Sequence, residues 1–168
     1  MTAASARHGT AVARETDMTP RISTTLPGFF GRMPLLLSEQ KRFAAVRDSL
    51  RELCAALNAG VETLPARLDP PQLVEELGGL LADHFEGADE CLRAVAARRH
   101  DLLPAVVDMR ADHAAFSEAL ADLRVLAADP MRWVELPLRI ASMLEKLEVH
   151  REGEAALIHD AAQAANVA

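Results

Sequence analysis

Four long stretches of this chain repeat their apolar residues at alternating spacings of three and four, and turn-forming residues separate them. That spacing follows the 3.6-residue period of an α-helix with one face turned inward. Phe43, Val46, Leu50, Leu53 and Leu57 mark the first stripe. Leu77, Leu81, His84, Ala88, Cys91 and Val95 mark a looser second one. The third runs through Val106, Met109, His113, Phe116, Leu120, Leu123 and Ala127. The fourth runs through Trp133, Leu136, Ile140, Met143, Leu147, His150, Glu154, Leu157 and Ala161. Composition agrees: half the residues are hydrophobic but only 4% are aromatic, with no Tyr. Ala and Leu dominate, and they give up least on entering a helix.

The breakers set the boundaries. The first helix is expected from about Leu35 to Asn58, ending at Gly60. Asp69-Pro70-Pro71 opens the second, which runs to about Ala97. Gly78 and Gly79 leave room for a kink early in that helix. Arg98-Arg99-His100-Asp101 turns the corner, Pro104 sits in the first turn of the third helix, and Asp129-Pro130 ends it. The fourth starts near Met131 or near Pro137 and continues to about Ala164. Four such stripes on 168 residues predict an all-α fold, an antiparallel up-down four-helix bundle over residues 34–168. Residues 1–33 lack periodicity and read as a flexible N-terminal tail, in which Leu26-Pro27-Gly28-Phe29-Phe30-Gly31 supplies turn residues and two aromatics.

The net charge of -7 argues against nucleic acid or an anionic membrane as partner. Over residues 1–34 four Arg against Glu15 and Asp17 give +2, leaving -9 on the remainder. No apolar run has the length of a membrane span, and the N-terminus has no continuous apolar stretch of the signal-peptide kind. Cys54 and Cys91 have no disulfide-framework spacing and read as reduced core thiols of a cytoplasmic protein. Phosphate loops, nucleophile elbows and dinucleotide fingerprints are lacking, so the sequence leans away from an enzyme with a definable substrate.

His84, His113, His150 and Glu154 occupy positions where the stripes call for apolar residues. An unpaired polar group there costs a few kcal/mol, roughly, and an unpaired charge more. Their depths match. His84 lies about 15 residues before the second corner and His113 about 12 after it, which agree within a turn at a rise of about 1.5 Å per residue. His113 precedes Asp129 by 16 residues, and His150 follows the start of its helix by about 13 to 19. His150 and Glu154 are one turn apart on one face. A single inward histidine is more often bonded to a carbonyl or a water, but three at one depth with a carboxylate form a first shell for a divalent transition metal. His8, His100 and His159 fall off the stripes and read as solvated. Met109 and Cys91 read as core, and Asp83 or Asp112 as possible outer carboxylates that orient a ligating imidazole.

Three segments resemble the hemerythrin-like family of cation-binding four-helix bundles, also called HHE domains. Leu80-Leu81-Ala82-Asp83-His84-Phe85 is similar to its second-helix His-Phe segment, and Asp112-His113-Ala114-Ala115-Phe116 to its third-helix acidic-His segment, with Leu103-Pro104 upstream. Leu147-Glu148-Val149-His150-Arg151-Glu152-Gly153-Glu154 is similar to its fourth-helix His followed four residues later by a carboxylate. The resemblance covers about residues 35–162. It implies His84, His113, His150 and Glu154 as metal ligands, non-haem iron as the cofactor, with zinc or manganese as alternatives, and dioxygen or another small diatomic as the partner. Members carry or sense oxygen, sense redox state or iron, or handle peroxide or nitric oxide.

Two family ligands are replaced. Phe43 stands at the first-helix histidine position and Ala88 at the bridging carboxylate position, while Met109 stands where oxygen carriers have a further histidine. The resemblance thus implies an incomplete or mononuclear centre, one ion rather than two, unless Asp89 takes the place of the bridge. The alternative is a metal-free bundle acting as a regulatory or protein-interaction module. A phosphotransfer bundle fits less well, since His84-Phe85-Glu86-Gly87 places the glycine one residue early and lacks the lysine.

Overall fold

The computed structural model describes residues 33–60 and 63–165, with side chains from 40 to 163 within those ranges. The expected tail therefore lies outside the described residues except for Met33. Four long helices account for nearly all of the chain that is described: α1 (Met33–Asn58), α2 (Pro70–Arg98), α3 (Leu103–Ala127) and α4 (Leu136–Ala165). They pack against one another, and no strand occurs among the described residues. No helix of the described residues is long and apolar enough to cross a membrane.

The breakers act as their chemistry requires. Gly60 ends α1 at a φ of 68°, a left-handed conformation that glycine adopts without a Cβ clash. Asp69 caps α2, its carboxylate accepting from the Gln72 N–H at 3.2 Å, with Pro70 and Pro71 in the first turn. Asp129 accepts from the Met131 N–H at 3.0 Å and starts a 3-10 stretch over Pro130–Glu135. That stretch explains why two starts are readable for α4, which begins at Leu136, next to the second of them. Trp133, within it, donates its indole N–H to the Ala127 carbonyl at 2.9 Å and ties the corner to the end of α3.

Two expectations for α2 are corrected. Gly78 and Gly79 introduce no kink, and the helix is continuous from Pro70 to Arg98. Gly78 instead allows close approach of α3: a Cβ there would lie 2.9 Å from Leu120 Cδ2 and 2.6 Å from an Arg124 guanidinium nitrogen. The inward residue near the end of α2 is the fully buried Leu92, while Cys91 is only half-buried. Leu92 follows Ala88 by four rather than three, so the stripe turns slightly around the helix.

Pairs of contacts give the alignment of neighbouring helices. Between α1 and α4, Arg151 lies over the Phe43 ring, Arg47 reaches Glu148, and the Cys54 thiol faces the Pro137 carbonyl. Between α2 and α3, Glu75 binds Arg124, Phe85 stacks near Phe116, and Asp89 meets His113. The main core lies among all four helices. Leu50, Leu53, Leu77, Leu136, Ile140 and Leu147 are at most 1% exposed, each contributing about 1.5–3 kcal/mol of burial. A smaller cluster of Leu92, Val95, Val106 and Leu157 lies farther along α2, α3 and α4.

Candidate metal centre

The break between those two clusters is where the polar residues sit. On α2, His84 and Asp89 fall between Leu81 and Leu92; on α3, Asp112 and His113 fall between Val106 and Phe116; on α4, His150 and Glu154 fall between Leu147 and Leu157. Each helix thus interrupts its apolar stripe at the same level.

His113, His150 and Glu154 are 6%, 3% and 6% exposed. The His84 side chain is 30% exposed, so its ring is only partly enclosed, against the fuller burial expected from the stripe. Its Nε2 is nevertheless buried and lies 3.1 Å from Glu154 Oε2, a close charge contact out of good hydrogen-bond alignment. One donor atom each from His84, His150 and Glu154 lies within 4.8 Å of the others. His113 stands outside that trio but its Nε2 is 3.1 Å from His150 Nε2. Donors at about 2.1 Å from one ion stand about 3.0 Å apart when cis in an octahedron and about 3.4 Å apart in a tetrahedron. Both 3.1 Å separations suit such a shell.

No family model, curated protein or solved structure matches the chain. What the site can do is therefore derived from its own atoms.

Two carboxylates complete the layer. Asp89 Oδ1 accepts from His113 Nδ1 at 3.1 Å, and Asp112 Oδ2 accepts from His150 Nδ1 at 3.1 Å. Asp89 is thus engaged at the outer edge of a histidine and also lies 3.6 Å from Arg110 Nε. The convergent group of His84, His150 and Glu154 does not include it. Of the two carboxylates expected to orient an imidazole, Asp83 and Asp112, both exposed, Asp112 is bonded to His150. The contact of Asp89 with His113 depends on how α2 is turned against α3, which a one-residue step from the stripe does not reveal.

Phe85 and Phe116 floor the layer. The Phe85 ring stacks on His113 at 4.3 Å and 19°, and Phe116 meets the His150 ring edge-on at 5.3 Å. These ring contacts, one stacked and one edge-on, restrict both imidazoles from the side of the main core. Phe43 and Ala88 offer no donor. Phe43 carries the Arg151 guanidinium 5.1 Å from its ring centre, and Ala88 is buried.

The electrostatics favour a cation. Burial is the main influence on His113 and holds its ring below the ordinary histidine pKa, with Asp89 pulling the other way and His150 adding to the depression. The neutral imidazole that metals bind is thereby favoured. For Glu154, burial alone would raise the pKa, but nearby His84, with His150 and His113, outweighs it and holds the carboxyl below its usual value. A carboxylate held in its ionised form beside imidazole nitrogens is a donor set of the kind divalent transition metals take.

Proposed function

We propose that this layer is a metal site in a hemerythrin-like bundle, with His84, His150 and Glu154 as its nearest donors and His113 as the fourth. The observation that carries this reading is the convergence of one ligand atom each from His84, His150 and Glu154 within 4.8 Å of one another, two of the three residues being buried. A polar group buried in this way costs about 1–3 kcal/mol unless something satisfies it, and a cation held between Glu154 and the lone pair of an unprotonated Nε2 would do so. The falling partner numbers between α1 and α4 and between α2 and α3 support the antiparallel up-down arrangement. The resemblance in three helices supports the family.

One ion suits the donors better than two, because α1 supplies Phe43 at this level and Asp89 is taken up by His113. Non-haem iron is the first choice, with zinc or manganese compatible with the same nitrogen and oxygen donors. When bound, such an ion supplies an open coordination position for dioxygen or another small diatomic. Glu154 balances charge, His113 and His150 hold their rings against the phenylalanine floor, and the half-exposed His84 side is the approach from solvent. Oxygen, redox or metal sensing in the cytoplasm is the role this reading assigns to such an open site.

A second reading, a metal-free bundle serving as a protein-interaction module, draws on Met131, Val134 and Leu138. These apolar side chains near the α3–α4 corner are 88%, 84% and 77% exposed. Elemental analysis and aerobic and reduced optical spectra of protein purified without chelator separate the two. The metal reading expects stoichiometric metal, and stabilisation of about 2.7 kcal/mol at a metal concentration of 100 Kd. Absence of bound metal, with no thermal shift on adding iron, zinc or manganese, overturns it.

A further inference from the structure

Asp89, His113, His150 and Asp112 form an unbroken line of carboxylate, imidazole, imidazole and carboxylate in which every step is 3.1 Å. The line passes from α2 to α3 to α4 and back to α3. We propose that Asp89 and Asp112 are positioning residues that fix which nitrogen of His113 and His150 faces the centre, and so set its affinity for metal. This inference rests on the metal reading above for its affinity component and on hydrogen-bond chemistry alone for its structural component.

A carboxylate accepts and does not donate, so the ring nitrogen facing it carries the proton. Asp89 therefore makes Nδ1 the N–H of His113, and Asp112 makes Nδ1 the N–H of His150. A neutral imidazole has one N–H, which leaves both Nε2 atoms as acceptors, and these face each other across 3.1 Å. Two lone pairs at that distance repel unless a positive species lies between them. Without the carboxylates either ring could turn its N–H inward and donate to the other, and the pair would satisfy itself with no cation. The outer carboxylates thus remove the arrangement that competes with metal binding.

The two ends differ in their surroundings. Asp89 is 32% exposed and shares its oxygen with Arg110, whereas Asp112 is 51% exposed and holds the almost fully buried His150 ring. His150 also belongs to the donor trio with His84 and Glu154. Loss of Asp112 is therefore the more damaging change.

The test uses the full chain with Zn2+ as the probe. Ring 15N chemical shifts of the metal-free protein are recorded for wild type, Asp89→Asn, Asp112→Asn and the control Asp83→Asn. Asp83 is exposed and one residue from His84, so its variant removes the same charge without touching either line of bonds. The expected wild-type spectrum has Nδ1 protonated in both His113 and His150. Asp112→Asn redistributes the proton in His150 and Asp89→Asn in His113. Their Zn2+ affinities fall by roughly 10–100-fold, Asp112→Asn the more, while Asp83→Asn changes by no more than about twofold. Ring-nitrogen patterns unchanged in both variants overturn the inference, as do affinity losses no larger than that of Asp83→Asn. A wild-type chain that takes up no Zn2+ overturns the metal reading instead, and the ring spectra then decide the positioning role by themselves.

Discussion

The main core and the polar layer are built on the same helices and follow opposite rules. Around Leu50, Leu53, Leu77, Leu136, Ile140 and Leu147, the stabilising quantity is apolar area removed from water, which does not depend on the direction of any one atom. Around His84, His113, His150 and Glu154, both nitrogens of His113 and of His150 have a facing polar atom at 3.1 Å, and Nε2 of His84 faces the Glu154 carboxylate at the same distance. The first region supplies stability and tolerates changes of shape within its volume. The second costs stability in the metal-free chain, and its retention of polar groups at buried positions points to chemistry rather than to folding.

That contrast is sharpest in substitutions made at equal depth. Leu77→Ala in the main core is expected to cost about 2–5 kcal/mol in urea unfolding of the metal-free chain. His150→Leu, at 3% exposure nearly as buried, is expected to be neutral or stabilising in the same measurement. A loss from His150→Leu as large as that from Leu77→Ala would erase the distinction between the regions.

A smaller effect separates two adjacent glycines within the apolar region. Gly79 is exposed with nothing near its absent Cβ, so Gly79→Ala is expected to stabilise α2 by about 0.5–1 kcal/mol. At Gly78 the new methyl would press on the buried Leu120 and displace Arg124 from Glu75. Gly78→Ala is expected to lie about 1 kcal/mol or more below Gly79→Ala in thermal or urea unfolding. Equal stability in the two variants would mean that α2 and α3 do not approach closely there.

The smallest expected effect is in pH, and it belongs to the polar layer. Folding depresses the His113 pKa, so as pH falls below the ordinary value of 6.5 the unfolded chain takes up a proton that the fold refuses, and stability declines. Glu154 is also depressed, so its contribution is fully present above 4.5 and is lost as pH falls below that value. Metal-free stability should therefore drop in two stages on acidification. His113→Leu should remove the first and Glu154→Gln the second, while Leu77→Ala should shift the whole curve without changing its shape.

The helices were legible in the sequence because a 3.6-residue stripe and its caps are local properties, as Asp69-Pro70-Pro71 and Gly60 illustrate. The level of the polar layer was legible for the same reason: counting from the corners needs only the helical rise. What counting cannot supply is the rotation of one helix against the next. That rotation decides that Asp112 reaches His150 on α4 while its neighbour His113 turns to Asp89 on α2. It also decides that Leu92 rather than Cys91 is fully inside and that the His84 ring keeps one edge exposed. Gly78 was read as a weak point because close approach by another helix leaves no trace in the local sequence.

Equilibrium dialysis of wild-type protein and His150→Leu against Zn2+, followed by elemental analysis, tests the central claim most directly. One equivalent retained per wild-type chain and none above background in His150→Leu is the predicted result. No retention by wild type, or equal retention by both proteins, would contradict a metal site built on this layer.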